Sequence, residues 1–456
     1  MTSPPLRFHA GAAGALAPFA VFLAGVVGLA LSGAPDERGF WPVLLAAWTI
    51  GLALATDRRR YAEALIAGMS QPLVLLMIVA WLLAGVLSTL LSAAGFVQAL
   101  AWASSTLSLS GGLYVAAAFA ASALVATATG TSFGTILVCG PLLYPAGAGA
   151  GADPAWLAGA LLAGATFGDS ISPISDTTIA SAGTQHADIG GTVVSRLRYV
   201  LPAGLLSLIV YALLGGGPAR GAQAGLAMSP DGWPLVIVPM IIVALLLRQR
   251  HLIEALLCGI AVTLAMGLGL GLLQPSQLLR LEPGSYAAAS LIIDGLERGV
   301  GVSVFTLLLV GLVRPLEESG LLGQFIGRLQ TSGQAPARIE LRIIGVAMGA
   351  VLLTTHSVVA LLTVGDYVRH LGRASGIPAY RRANLLDLAV CTWPFLLPYF
   401  LPPILMAGAT ASGEAMGWPR LSPWAVGVAN VYSWSLLGVI AVAVATGLGR
   451  SDRGPR

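Results

Sequence analysis

Apolar runs of about twenty residues, the length a helix needs to cross a hydrocarbon core about 30 Å thick, recur along almost the whole chain. They are continuously apolar and do not alternate in segments of about ten, so helices and not a barrel are implied. Only 10% of the 456 residues are charged, 56% are apolar and the mean hydropathy is +0.85. That leaves too little charge to coat a soluble domain. The expected fold class is an all-α polytopic membrane protein, with roughly 10–12 transmembrane helices at this run length. The net charge of +4 comes mostly from arginines in short loops, so it reports orientation and gives no reason to expect nucleic acid.

The runs place helices near Gly14–Leu31, Trp41–Ala55, Glu63–Leu91, Gly112–Thr127, Trp156–Phe167 and Tyr199–Leu214. A second series follows near Trp233–Leu247, Ile253–Leu272, Ala287–Val313, Leu341–Leu353, Ala383–Leu401 with breaks, and Trp424–Ala445. The first run follows Arg7 and ends in small residues, as a signal peptide does, but it is long for a signal core and reads as a retained helix. Cys139, Cys258 and Cys391 have no metal or disulfide spacing and read as small buried hydrophobes.

One stretch breaks the apolar pattern. Gly168 to Thr178, GDSISPISDTT, follows a small-residue apolar run and carries Asp169, Asp176, several hydroxyls and Pro173. A carboxylate at the bilayer centre costs about 2.5–3.5 kcal/mol, so a segment that keeps two there must supply ligands or a proton. Seven residues, about two helical turns, would set both carboxylates on one face of a continuous helix. Pro173 interrupts that helix and frees carbonyls to join Ser172, Ser175 and Thr177 around a hard cation. The competing reading of Asp176 is an N-cap for the segment that follows.

The two halves look related. YAEALIAG at Tyr61–Gly68 resembles YAAASLIIDG at Tyr286–Gly295, and LSAAGFVQAL resembles LEESGLLGQF with Gly95 on Gly320, an offset of 320 − 95 = 225. TATGTS at Thr127 falls on TTHS at Thr354, an offset of 354 − 127 = 227. The expected organisation is a first repeat over 1–215, a loop over 216–231, a second repeat over 232–447 and a tail over 448–456. Basic loops sit at Arg58–Arg60 and at Arg196 and Arg198 in the first half, but at Arg328, Arg338 and Arg342 and at Arg369, Arg373, Arg381 and Arg382 in the second. Those positions are reversed relative to the repeat, the pattern of an inverted-topology repeat with both termini cytoplasmic. Closing the count requires Gly112–Tyr144 and Leu341–Leu371 each to enter and leave on one side, as helix pairs or re-entrant hairpins.

The partner elements of the break follow from the repeat. Thr129, Thr131 and Ser132 offer hydroxyls in TATGTSFG, and Thr355 and His356 form the matching polar cluster, where a histidine titrates near neutral pH. A buried, satisfied imidazole is an equal reading of His356. The counterpart of GDSISPISDTT is CTWPFLLPYFLPP, broken by four prolines but without a carboxylate. Its contribution is therefore backbone groups, shape and aromatic surface from Trp393, Phe395 and Tyr399. Asp366 or Asp387 is expected to pair with Arg369, Arg381 or Arg382.

GATFGDSISPISDTT, with TATGTSFGT before it, resembles the NhaC family of sodium/proton antiporters, whose hallmark is a GD..SP.SDTT segment after a small-residue helix. The resemblance implies an ion transporter of inverted repeats with sites at broken helices. It departs at Trp393–Pro394, where no asparagine adjoins. The reading is a secondary active transporter of sodium and protons by alternating access, with cation and proton competing for Asp169 and Asp176. Burial favours the protonated form of a carboxyl and a bound cation favours the ionised one. The site expected to hold sodium and protons comprises Asp169, Asp176, Ser172, Ser175, Thr177, Thr129, Thr131 and Ser132; Thr355, His356 and Trp393 are proton or substrate contacts. Sodium is expected at Asp169 and Asp176. The alternative is a sodium- or proton-coupled carrier of a small organic acid or amino acid. GTSFG fits a hydrolase G-x-S-x-G pattern without its strand–turn–helix context, so no enzyme is expected. The expected setting is a bacterial inner (plasma) membrane. No cofactor is expected beyond the transported ions, and partners are the lipid bilayer and small cations, with a homodimer open.

Overall fold

The computed structural model describes residues 5–31, 37–96, 98, 99, 102, 106, 111–173, 175–217, 229–248, 250–282, 287–321, 335–354 and 357–450. Thr355, His356, Arg328 and most of the loops at 103–110 and 216–231 lie outside the described residues. The first half runs α1 (Ala12–Leu31), α2 (Phe40–Leu54), α3 (Arg58–Met69), α4 (Pro72–Ala93), α5 (Gly111–Thr129), α6 (Ser132–Ala146), α7 (Pro154–Ile171), α8 (Asp176–Gln185) and α9 (Ile189–Leu214). The second runs α10 (Ile237–Leu247), α11 (Leu252–Gly269), a short hairpin of β1 (Arg280–Glu282) and β2 (Ala287–Ala289), then α12 (Leu291–Glu318), α13 (Pro336–Thr354), α14 (Ser357–Ala374), α15 (Ala379–Thr392), α16 (Leu401–Ala409), α17 (Pro423–Val428) and α18 (Val431–Thr446). Among the described residues six helices are long and apolar enough to span a membrane, or seven counting the pair Ala379–Leu396 and Leu401–Glu414, which bends by 46°. Five further apolar helices are shorter. This is a polytopic helical membrane protein.

Local chemistry sets the boundaries. Asp57, Asp153 and Asp188 cap α3, α7 and α9, each accepting from a backbone N–H in the first turn, where orphan donors need partners. The single helix expected over Glu63–Leu91 is in fact two. Pro72 lacks the N–H to continue α3 and takes the first position of α4, where that N–H is not needed. The last helix likewise breaks before Val431, with Asn430 capping α18 through Ser433 N–H. Large apolar side chains such as Leu124, Leu205, Leu213 and Val442 are exposed on the helix bundle, which suits a surround of lipid and not water.

Element boundaries recur at one spacing. The first residues of α1 and α10, α5 and α13, α6 and α14, and α7 and α15 differ by 237 − 12, 336 − 111, 357 − 132 and 379 − 154, each equal to 225. The left-handed glycines repeat too: Gly95 and Gly151 match Gly320 and Gly376, all with φ between 66° and 83°. The 227 offset from TATGTS therefore becomes 225, since α5 ends at Thr129 and α13 at Thr354. The helices that precede these segments, α4 and α12, pack antiparallel. Gly85 and Val86 meet Gly295, Trp81 and Leu82 meet Gly299, and Gly68 meets Val310. The glycines let the backbones touch: a Cβ on Gly85 would lie 2.2 Å from the Gly295 carbonyl oxygen.

The arginines counted as loop charges are not all in loops. Arg196 and Arg381 have fully buried side chains and Arg382 is 3% exposed. Arg381 is forked onto Glu340, with Nε to Oε1 and Nη2 to Oε2 both at 3.0 Å. Arg382 donates to Gln185 Oε1 at 3.0 Å. These side chains tie α9 and α15 to their neighbours; Arg196 and Arg381 are each matched to a buried carboxylate, since an unpaired buried charge is costly.

Candidate functional site

The break between α7 and α8 is built by Ser172, Pro173 and Ser175. Ser172 adopts an extended conformation at the end of α7 and its N–H reaches back to the Asp169 carbonyl. Ser175 then starts α8. In the other half Pro394–Leu396 form a single 3-10 turn, Leu397 and Phe400 are extended, and α16 begins at Leu401 with Pro402 and Pro403. Prolines cannot donate the hydrogen bonds that would carry a helix through, so both breaks are written into the chain. Two half-helices meet them. α6 packs against α16, and α14 packs against α8. Thr131 starts α6 by accepting from Gly134 N–H at 3.3 Å.

At this crossing lies a cavity walled by Thr131, Ser132, Asp169, Asp176, Thr177, Ser357, Cys391 and the apolar faces of Pro394, Phe395, Phe400 and Pro402. It has about 30 Å³ of room for the centres of water-sized molecules. One water takes about 10–15 Å³ on that measure, so the space suits about two waters or a small cation stripped of most of its shell. Asp169 is 6% exposed, and its Oδ1 has no hydrogen-bond partner. The Ser175 and Ser132 hydroxyls face the same carboxyl. Asp176 sits at an exposed position, and its Oδ1 accepts from Thr177 N–H at 2.8 Å. The capping role weighed for Asp176 is thus present in part, while the residue still lines the cavity. Ser175 Oγ and Thr177 Oγ1 are 3.0 Å apart.

Of the residues singled out from the sequence, the structure brings Asp169, Asp176, Thr177, Thr131 and Ser132 to one wall, with Ser175 beside them. Thr129 does not join. Its hydroxyl donates to Val125 O at 2.8 Å within α5, one turn back along its own helix. Ser172 Oγ is buried without a partner and is not among the cavity-lining residues. Trp393 is half-buried with an unpartnered Nε1 and, like Tyr399, stands off the wall; Phe395 reaches it, joined by Phe400. Thr355 and His356 lie outside the described residues. Among the described residues no three or more His, Cys, Asp or Glu side chains gather as a metal centre would require. A sodium ion at the two aspartates would draw its other ligands from hydroxyls and carbonyls, the donors hard cations prefer.

Three neighbours of this site have contacts that differ from the sequence reading. Arg196, fully buried, forms an ion pair with fully buried Asp387. It also donates to Asn384 Oδ1 at 3.0 Å, Ser170 O at 2.9 Å and Thr178 Oγ1 at 2.8 Å. It therefore clamps the end of α7 and the start of α8 to α15. Asp366 pairs with Arg369 at 2.7 Å as expected, whereas Asp387 takes a partner from the first half. Cys391, read as an inert hydrophobe, lies in the cavity wall, with its Sγ 3.5 Å from Thr177 Oγ1 and 3.8 Å from Asp387 Oδ1. The only sequence signal for these contacts was an unusual arginine and aspartate inside apolar helices.

Residues 11–215 match the model of the Na+/H+ antiporter family. The chain is 23% identical over 270 residues to the Na+/H+ antiporter NhaC of Bacillus subtilis, covering 54% of this chain and 59% of that protein. To the Na+/H+ antiporter NhaC of Alkalihalophilus pseudofirmus it is 31% identical over 145 residues, 30% of this chain and 31% of that protein. It is also 34% identical over 93 residues, 20% of each chain, to the malate-2H+/Na+-lactate antiporter of Bacillus subtilis. The matches thus span 59% or less of the length of these curated relatives.

Proposed function

We infer that this chain, an NhaC-type member of the Na+/H+ antiporter family, exchanges sodium for protons across the membrane, with Asp169 and Asp176 as the carboxylates for which the two compete. The observation that carries this reading is the buried, unpartnered Asp169 Oδ1 in a cavity made by two broken helices. A carboxylate in that position needs a cation or a proton. When sodium occupies the hydroxyl-lined space the carboxylates stay ionised; when it leaves, a proton takes its place. Mutually exclusive occupancy links the two fluxes.

The constant spacing of 225 in element starts and the antiparallel packing of α4 on α12 support two inverted repeats over 1–215 and 232–447. Each half lends a half-helix to the other's break. Alternating access then consists of one repeat moving against the other around a fixed site. On this reading both termini are cytoplasmic and the membrane is a bacterial inner membrane.

The test uses everted vesicles with an imposed proton gradient. Sodium should dissipate the gradient through the wild-type protein, and Asp169→Asn should abolish the response. A wild-type protein insensitive to sodium at every pH, or an Asp169→Asn variant with full exchange, overturns the reading. The second reading is a sodium- or proton-coupled carrier of a small organic acid, favoured by the likeness to the malate-2H+/Na+-lactate antiporter. Uptake of labelled monocarboxylates into proteoliposomes, driven by sodium, separates the two.

A further inference from the structure

A second cavity lies between α4, α6, α12 and α16, about 50 Å³ on the same measure, and Trp81, Ser88, Arg298, Leu137, Leu405 and Gly408 are among the residues that line it. Three of its polar atoms are buried and have no hydrogen-bond partner: Trp81 Nε1, Ser88 Oγ and Arg298 Nη1. Trp81 and Ser88 are 3% and 4% exposed. No carboxylate lines the space, and the nearest acids on α12, Asp294 and Glu297, are exposed. The other hydroxyl of the wall, Ser412 Oγ, donates to Ala409 O at 2.8 Å.

The inventory is one-sided. An indole N–H and a guanidinium only donate, and a hydroxyl can donate. Water could accept from these groups but would not neutralise the guanidinium, which is half-buried with its Nη1 shielded from solvent. We propose that this cavity is a binding site for a small monoanion, a halide or the carboxylate of a short organic acid, held by Arg298, Trp81 and Ser88. Its volume admits about three or four water-sized atoms, which suits chloride or acetate. The proposal stands on this donor set and does not rest on sodium/proton exchange. Both cavities draw on α6 and α16: Ser132 and Pro402 line the first, and Leu137 and Leu405, about one turn further along each helix, line the second. Anion occupancy would thus place a negative charge within a few helical turns of the sodium site.

The test measures binding to the purified full chain in nanodiscs of zwitterionic lipid, so that no anionic headgroup competes. Chloride is followed by chlorine NMR line broadening and acetate by saturation-transfer NMR. Saturable binding of either anion is expected, and which one binds distinguishes a halide site from a carboxylate site. Arg298→Gln should weaken it roughly tenfold or more, since charge-assisted bonds dominate such sites. Gly408→Leu provides a second variant that leaves the guanidinium intact: an added Cβ there meets nothing within 4 Å, and the longer side chain fills the cavity. It should also abolish binding. No saturable binding of either anion, or binding that survives both Arg298→Gln and Gly408→Leu, overturns the proposal.

Discussion

Arg196→Met removes the guanidinium that holds the two sides of the first break together. Its side chain and that of Asp387 are both fully buried, and it satisfies Asn384 Oδ1, Ser170 O and Thr178 Oγ1 as well. Taking one partner from a buried ion pair costs about 3–5 kcal/mol, because the other charge stays buried and uncompensated. Each buried acceptor left bare adds up to about 1–3 kcal/mol where the chain cannot relax. A total stability of about 5–15 kcal/mol therefore leaves the single variant close to unfolding. Removing both charges with Arg196→Met and Asp387→Leu leaves no orphan ion, so the double variant should recover about 2–3 kcal/mol relative to the sum of the singles, a coupling in the range of contacting residues. SDS titration in mixed micelles, followed by tryptophan fluorescence, measures all three losses. Arg196→Lys should fall between, since an ammonium cannot reproduce the fork. If the two single losses simply add, or if each is below about 1 kcal/mol, the clamp described for α7, α8 and α15 is wrong.

Two other outcomes follow from the geometry. Ser132→Ala should raise the sodium concentration needed for half-maximal exchange several-fold while Thr129→Ala stays near wild type, because only Ser132 lines the cavity and Thr129 bonds its own helix; equal effects of the two would refute the assignment of the wall. Gly85→Ala should lower stability by about 1–3 kcal/mol, as overpacking does, since its Cβ would strike the Gly295 carbonyl; an unchanged SDS midpoint would show that α4 and α12 do not touch there.

Membrane insertion, the helical character and the main breaks were readable along the chain because each depends on local chemistry. Twenty apolar residues must be a helix in lipid, and prolines at 173, 394, 398, 402 and 403 cannot sit inside regular helices without cost. The polar identity of the first break was equally legible, as Asp169 and Asp176 stand out in an apolar field. The split at Pro72 was missed because apolar content on both sides hides a single missing N–H. The offset was misread by two residues in one block, where threonines are frequent and the register was ambiguous; the shared helix starts and left-handed glycines resolve it.

What the amino-acid sequence determined alone is the class of molecule and the proline-rich breaks near Pro173 and Pro394, since those follow from hydropathy and backbone hydrogen bonding over neighbouring residues. Only the tertiary structure decided which groups meet there. It sends the Thr129 hydroxyl back into α5 and brings Ser132 and Cys391 onto the cavity wall. It pairs Asp387 with Arg196 across 191 positions of chain and brings Arg298, Trp81 and Ser88 together, each with an unpartnered polar atom, on the wall of a second cavity. Such contacts depend on how separate helices pack, and residues far apart in sequence carry no local signal of the neighbours that packing will give them.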